Sequence, residues 1–154
     1  MDFGFLNHVP DLIIRPLVAC LIGAMIGWNR ERRGRAAGLR TQVLVCLGAC
    51  VYTMVTMELQ RVMRRDDPDS NVDPIRVIAG IVGGIGFLGA GSIIQSGGTV
   101  KGVTTAATVW VVGAMGIACG LGLFAMTAVT AALTAITLVG LHWLESAVTD
   151  DDSS

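Results

Sequence analysis

The stretch IRVIAGIVGGIGFLGAGSII, Ile75–Ile94, decides between two very different proteins. Within it, Gly84-Ile85-Gly86-Phe87-Leu88-Gly89 matches the dinucleotide-binding pattern G-x-G-x-x-G. That pattern works only where a strand turns into a helix, so that a pyrophosphate meets the helix N-terminus. Here the glycines sit inside one apolar run, long enough to cross ~30 Å of hydrocarbon. A membrane helix is therefore expected, and nucleotide binding is set aside. Gly80, Gly83, Gly84, Gly86, Gly89 and Gly91 weaken such a helix by ~1 kcal/mol each relative to Ala, but they let neighbouring backbones approach closely. Either a tightly packed central helix or a locally broken one lining a path is expected from them.

The rest of the chain agrees with a lipid solvent. Of its 154 residues 53% are hydrophobic and 15% charged, where ~25% charged is usual for soluble domains. A soluble monomer of this length could not hide that much apolar surface. Four further apolar stretches, Leu12–Trp28, Thr41–Leu59, Val103–Cys119 and Leu121–Leu144, accompany the first. None alternates in polarity as barrel strands do, so helices are expected. The fold class is an all-α integral membrane protein of five transmembrane helices, one domain over residues 1–145, followed by an acidic tail, 146–154, expected to be disordered. The net charge of -1 and 5% aromatic content speak against nucleic acid as a partner.

The N-terminus lacks a basic region, so no cleaved signal peptide is expected. Leu17-Val18-Ala19-Cys20 looks like a lipoprotein box, but the apolar run continues past it. Cys20, Cys46, Cys50 and Cys119 all lie in apolar segments and read as small packing residues. With His8 and His142 they form no zinc pattern, and no cofactor is expected. Orientation follows the arginines. Arg30, Arg32, Arg33, Arg35 and Arg40 crowd the first connection, which places it in the cytoplasm, the N-terminus outside and the C-terminus inside. Arg15, near the start of the first helix, is expected to snorkel to the head groups.

A shift of 64 positions lays Gly27, Gly34, Gly38 and Thr41 on Gly91, Gly98, Gly102 and Thr105. One reading is a parallel repeat of helices 1–2 and 3–4, related by an axis along the membrane normal; the other is a chance likeness of two glycine-threonine turns. In either case the threonine is placed to cap the next helix. Gly23, Gly27, Gly80, Gly84, Gly86, Gly89 and Gly91 are the expected helix-packing glycines, and Gly84→Leu is expected to disturb assembly.

Asp67, Asp69, Asn71 and Asp73 alternate like calcium ligands. Val72 and Ile78 replace the required Gly and closing Glu, so Asp67, Asp69 and Asp73 are weak metal candidates beside a plain solvated loop. No catalytic set is visible, and an enzyme is not expected. Glu58 is expected at the interface beside Arg61 rather than in a proton path.

Three strings in order, Ala37-Gly38-Leu39-Arg40-Thr41, Gly84 through Gly91, and Gly102-Val103-Thr104-Thr105-Ala106-Ala107 before Trp110, resemble the MgtC/SapB family of bacterial inner-membrane proteins. The chain departs from it at Asn29, where many members are acidic, and at Gly80, where many carry Gln. The resemblance implies the bacterial inner membrane and a link to magnesium limitation. Two functions follow as expectations. One is a regulator acting through its own copies or another inner-membrane protein. The other is a small oligomeric transporter or channel for an ion such as Mg²⁺. The candidate functional patch is Asn29, Arg30, Arg40, Thr41, Lys101, Thr104 and Thr105, where free helix amides, full charges and hydroxyls share one aqueous face. It suits an acidic partner segment or a lipid phosphate; the plainer alternative makes Arg40 an anchor at the head groups.

The topology is checked by placing single cysteines at Arg33 and Ser70 of a cysteine-free variant. They should label from opposite sides of intact cells with an impermeant reagent, and equal labelling of both would contradict the orientation.

Overall fold

The computed structural model describes residues 9–67 and 73–151. Five helices follow one another: α1 (Val9–Arg32), α2 (Leu39–Asp66), α3 (Pro74–Gly91), α4 (Val103–Gly120) and α5 (Phe124–Asp151). The first four are each long and apolar enough to cross a membrane, and the described apolar part of α5 is Phe124–Gly140. Helical backbone in α5 continues through Asp151, into the segment read as an acidic tail, and residues 152–154 lie outside the described part. A short antiparallel hairpin, β1 (Ile94–Ser96) and β2 (Thr99–Lys101), joins α3 to α4. This corrects the reading that ran the third helix to Ile94. Gly97 and Gly98 adopt φ of 56° and 83°, the double positive φ of a type I′ two-residue hairpin turn.

Local chemistry sets the helix ends. Gly34, at φ 61°, terminates α1: its N–H donates to the Glu31 carbonyl at 3.0 Å, and the Arg35 N–H donates to the Arg30 carbonyl at 3.1 Å. That paired pattern closes a helix through a left-handed residue. Gly122 ends α4 in the same way, with Leu123 N–H on the Ala118 carbonyl at 2.9 Å. Asp73 starts α3: its carboxylate accepts from the Ile75 N–H at 2.9 Å, and Pro74 follows in the first turn.

Helices α2 and α4 pack against each other at the centre, with α1 against both and α3 against α4 and α2. Glycine sets the closeness. A Cβ on Gly120 would stand 2.7 Å from the Cys50 carbonyl oxygen, and one on Gly116 would stand 2.8 Å from the Ala49 Cβ and overlap the Cys46 carbonyl. On α1, a Cβ at Gly23 would lie 2.8 Å from Val43 Cα, and one at Gly27 2.7 Å from Leu39 Cα. Cys46, Cys50, Val112, Met115 and Cys119 fill the resulting core with Ala19, Ile26 and Ala131.

The glycines of α3 behave differently. Ile85 and Gly89 are buried against α4, and Gly89 has ordinary contact with Ala106 at 3.5 Å. Around Gly80, Gly84, Gly86 and Gly91 a Cβ would meet no described residue within 4 Å. Within the protomer these four are not packing residues, because α3 turns its Ile78–Ile85–Gly89 face inward and its glycine face outward.

Gly116→Ala is expected to lower stability in a detergent denaturation series by about 1–3 kcal/mol, the usual cost of overpacking. Gly84→Ala should leave stability unchanged or raise it by up to ~1 kcal/mol, since only helix propensity changes. Equal losses from both would contradict the packing described.

Candidate functional site

Arg30, near the end of α1, is only 4% exposed. Its guanidinium donates to Thr105 Oγ1 in the first turn of α4 and to the Ala36 carbonyl at 3.3 Å. One cation thus ties together α1, the turn after it and the start of α4. Beside it, fully buried Gln42 donates from Nε2 to the Ala37 carbonyl at 3.1 Å. Ala37 is in the left-handed region at φ 53°, a conformation costing a non-glycine residue roughly 1–2 kcal/mol, and the Gln42 bond helps hold it. Two buried polar atoms at this junction, Arg30 Nε and Gln42 Oε1, have no hydrogen-bond partner among the described residues, and neither has Asn29 Oδ1, one position earlier on α1.

The caps differ from expectation. The residues at the starts of α2 and α4 are Gly38 and Gly102, and neither helix has a side-chain cap there. Thr41 and Thr105 occupy matching places in the first turns, as the 64-residue shift requires. The service expected of Thr41 is given by Glu31, whose Oε2 accepts from the Leu39 N–H at 2.7 Å. Thr41 itself is exposed, whereas Thr105 is buried against Arg30. Under the same shift Ile94 corresponds to Arg30, so the second pair of helices has no equivalent clasp.

Of the expected patch, the structure joins Arg30 to Thr105 and leaves Asn29 half-buried alongside. Arg40, Thr41, Lys101 and Thr104 remain exposed, with no hydrogen bond between them among the described residues. Gln42 and Glu31 are the functional-looking residues missed; Glu31 was legible as the one acid among five arginines. Arg15 also has a specific partner within the protein. Its Nη1 donates to the Gly120 carbonyl at 2.8 Å, neutralising the free carbonyl end of α4. Glu58 pairs with Arg61 at 3.0 Å, as expected of an interfacial residue.

Of the weak metal candidates, Asp73 serves as the cap of α3, Asp67 ends α2, and Asp69 lies outside the described residues. No group of three or more His, Cys, Asp or Glu able to hold a metal forms among the described residues. Several hydroxyls donate to carbonyls one turn back on their own helices. Thr53, Thr56 and Thr108 donate to the carbonyls of Ala49, Tyr52 and Thr104 at 2.8, 2.8 and 2.6 Å, and Ser92 donates to Gly89 at 2.7 Å.

The MgtC family profile matches residues 17–147. "Protein MgtC" of Salmonella typhimurium is 47% identical over 112 residues, covering 73% of this chain and 44% of the relative. "Protein SrpB" of Synechococcus elongatus is 37% identical over 143 residues, covering 87% of this chain and 76% of the relative. "Protein MgtC" of Brucella abortus is 43% identical, covering 72% and 43% respectively. The chain therefore spans less than half the length of the MgtC proteins it matches. No solved structure matches it.

A double-mutant cycle of Arg30→Met and Thr105→Val should give a coupling of about 1.5–3 kcal/mol, the range for a hydrogen bond to a charged group. Additive effects on unfolding would contradict a direct bond.

Proposed function

The chain belongs to the MgtC family, and we propose that it is a regulatory protein of the bacterial inner membrane, active when magnesium is limiting, that works through contacts with its own copies or with another inner-membrane protein. The observation that carries this reading is the closed centre of the bundle, where Gly116 and Gly120 of α4 meet α2 and Cys46, Cys50 and Cys119 have no exposed surface, whereas an ion path needs ligands that an ion can reach. Backbone contact between α2 and α4 fills the space where a path through one protomer would run.

The surfaces suited to contact lie elsewhere. The outward face of α3 presents Gly80, Gly83, Gly84 and Gly86 with open space above them, and small residues are what membrane helices use for close association. At the arginine-bearing end, exposed Arg40 and Lys101 flank the Arg30 junction and suit an acidic segment. An oligomeric transporter is the second reading, favoured by the same open glycine face, which in a ring of copies would line a shared passage.

Purified protein in liposomes should pass no more Mg²⁺ than protein-free vesicles, while restoring growth of a deletion strain in low magnesium. Saturable Mg²⁺ flux would replace regulation by transport. Arg40→Lys should insert and assemble normally yet fail to restore growth, because Lys anchors at the head groups as well as Arg but forms no planar bidentate clamp. Full restoration would reduce Arg40 to an anchor.

A further inference from the structure

A cavity of about 470 Å³ opens between α1 and α5 at the arginine-bearing end of the bundle. Its lining combines two chemistries. Met25 and Trp28 of α1 and Leu138 of α5 supply apolar wall, and Asn29 and Arg32 of α1 with Arg33 in the turn just after it supply polar and charged groups. Neither arginine is ion-paired among the described residues. Asn29 carries a buried Oδ1 with no hydrogen-bond donor among the described residues, an omission that costs free energy unless a donor arrives from outside. Trp28 is more than half exposed, as rings at the head-group level are.

We propose that this cavity is a binding site for one anionic phospholipid, phosphatidylglycerol. Its phosphate lies between the Arg32 and Arg33 guanidinium groups. A headgroup glycerol hydroxyl donates to Asn29 Oδ1. An acyl chain follows Met25 and Leu138 toward the membrane interior. The pairing of an apolar slot with two unneutralised cations and an unmet acceptor matches the order of groups along that lipid: chain, phosphate, hydroxyl. A soluble anion would leave the apolar wall in water, and a zwitterionic choline lipid would bring no hydroxyl and a cation next to two arginines. The site is separate from the Arg30–Thr105 clasp, and such a lipid binds whether or not the protein is a regulator.

Native mass spectrometry of the detergent-purified full chain, offered equal amounts of phosphatidylglycerol, phosphatidylcholine and phosphatidylmethanol, tests this. The wild type should retain one phosphatidylglycerol in preference to both others, since phosphatidylmethanol has the charge but no hydroxyl. Arg32→Gln with Arg33→Gln should weaken retention about fivefold per arginine removed, while Arg35→Gln with Arg64→Gln, equal in charge loss but outside the cavity, should leave it intact. Leu138→Trp fills the slot without changing charge and should give a comparable loss, which decides the matter if the arginine variant does not fold. Equal retention of either competing lipid, equal loss in the Arg35/Arg64 variant, or undiminished binding to Leu138→Trp would overturn the proposal.

Discussion

Backbone-to-backbone contact along α2 is the constraint on which the remaining structure depends. Lipid tails are as apolar as leucine, so the helices gain nothing from burying apolar side chains against each other; close dispersion contact must hold them instead. Gly23 and Gly27 bring α1 onto α2, and Gly116 and Gly120 bring α4 onto it. Each approach is so tight that a single added methyl group meets backbone atoms. The small core residues between them, three cysteines and two alanines among them, complete a solid interior. Once that interior is closed, polar groups have two places left, back on their own helix or at the ends of the bundle.

Both solutions are used. The threonines return their protons to the preceding turn, while the charged residues gather at the ends. Arg30 is the extreme case, since a buried cation costs several kcal/mol unless its donors are met. Thr105 and the Ala36 carbonyl meet two of them, and the turn that presents Ala36 is shaped by Gly34, Ala37 and Gln42 together. At the other end Arg15 makes the corresponding link, holding the last turn of α4 to α1. Two arginines on one helix thus fasten both ends of α4, with glycine contact in between. A rigid centre with chemically distinctive ends supports the proposal that the protein acts by contact at its surfaces.

The number and kind of helices were legible because apolar length is a strong signal and no competing period exists. The place of each glycine was not. Gly-x-x-x-Gly spacing marks a face able to pack but does not say whether a neighbour is there, and Gly80 and Gly84 share the spacing of Gly116 and Gly120 without sharing their contacts. The hairpin at Gly97-Gly98 was written in a glycine pair that the apolar reading passed over. The sequence places Arg30 and Thr105 in one patch on an aqueous face, and the structure does join them; what the sequence does not show is that their contact, between residues 75 apart in the chain, is buried. The threonine pattern pointed to the correct turns while assigning the wrong bond, because Glu31, from the preceding helix, reached the vacant amide first.

The central claim is that the α2–α4 interior is solid and closed to water. Its own thiols report on this, because Cys46, Cys50 and Cys119 lie at that interface with no exposed surface. The rate at which a small, water-soluble methanethiosulfonate reagent modifies these three thiols in the bilayer-embedded protein is the direct measurement. The account predicts that none reacts until the protein is unfolded. Modification of Cys46 or Cys50 in the folded protein would mean that water reaches the centre of the bundle, and would contradict it.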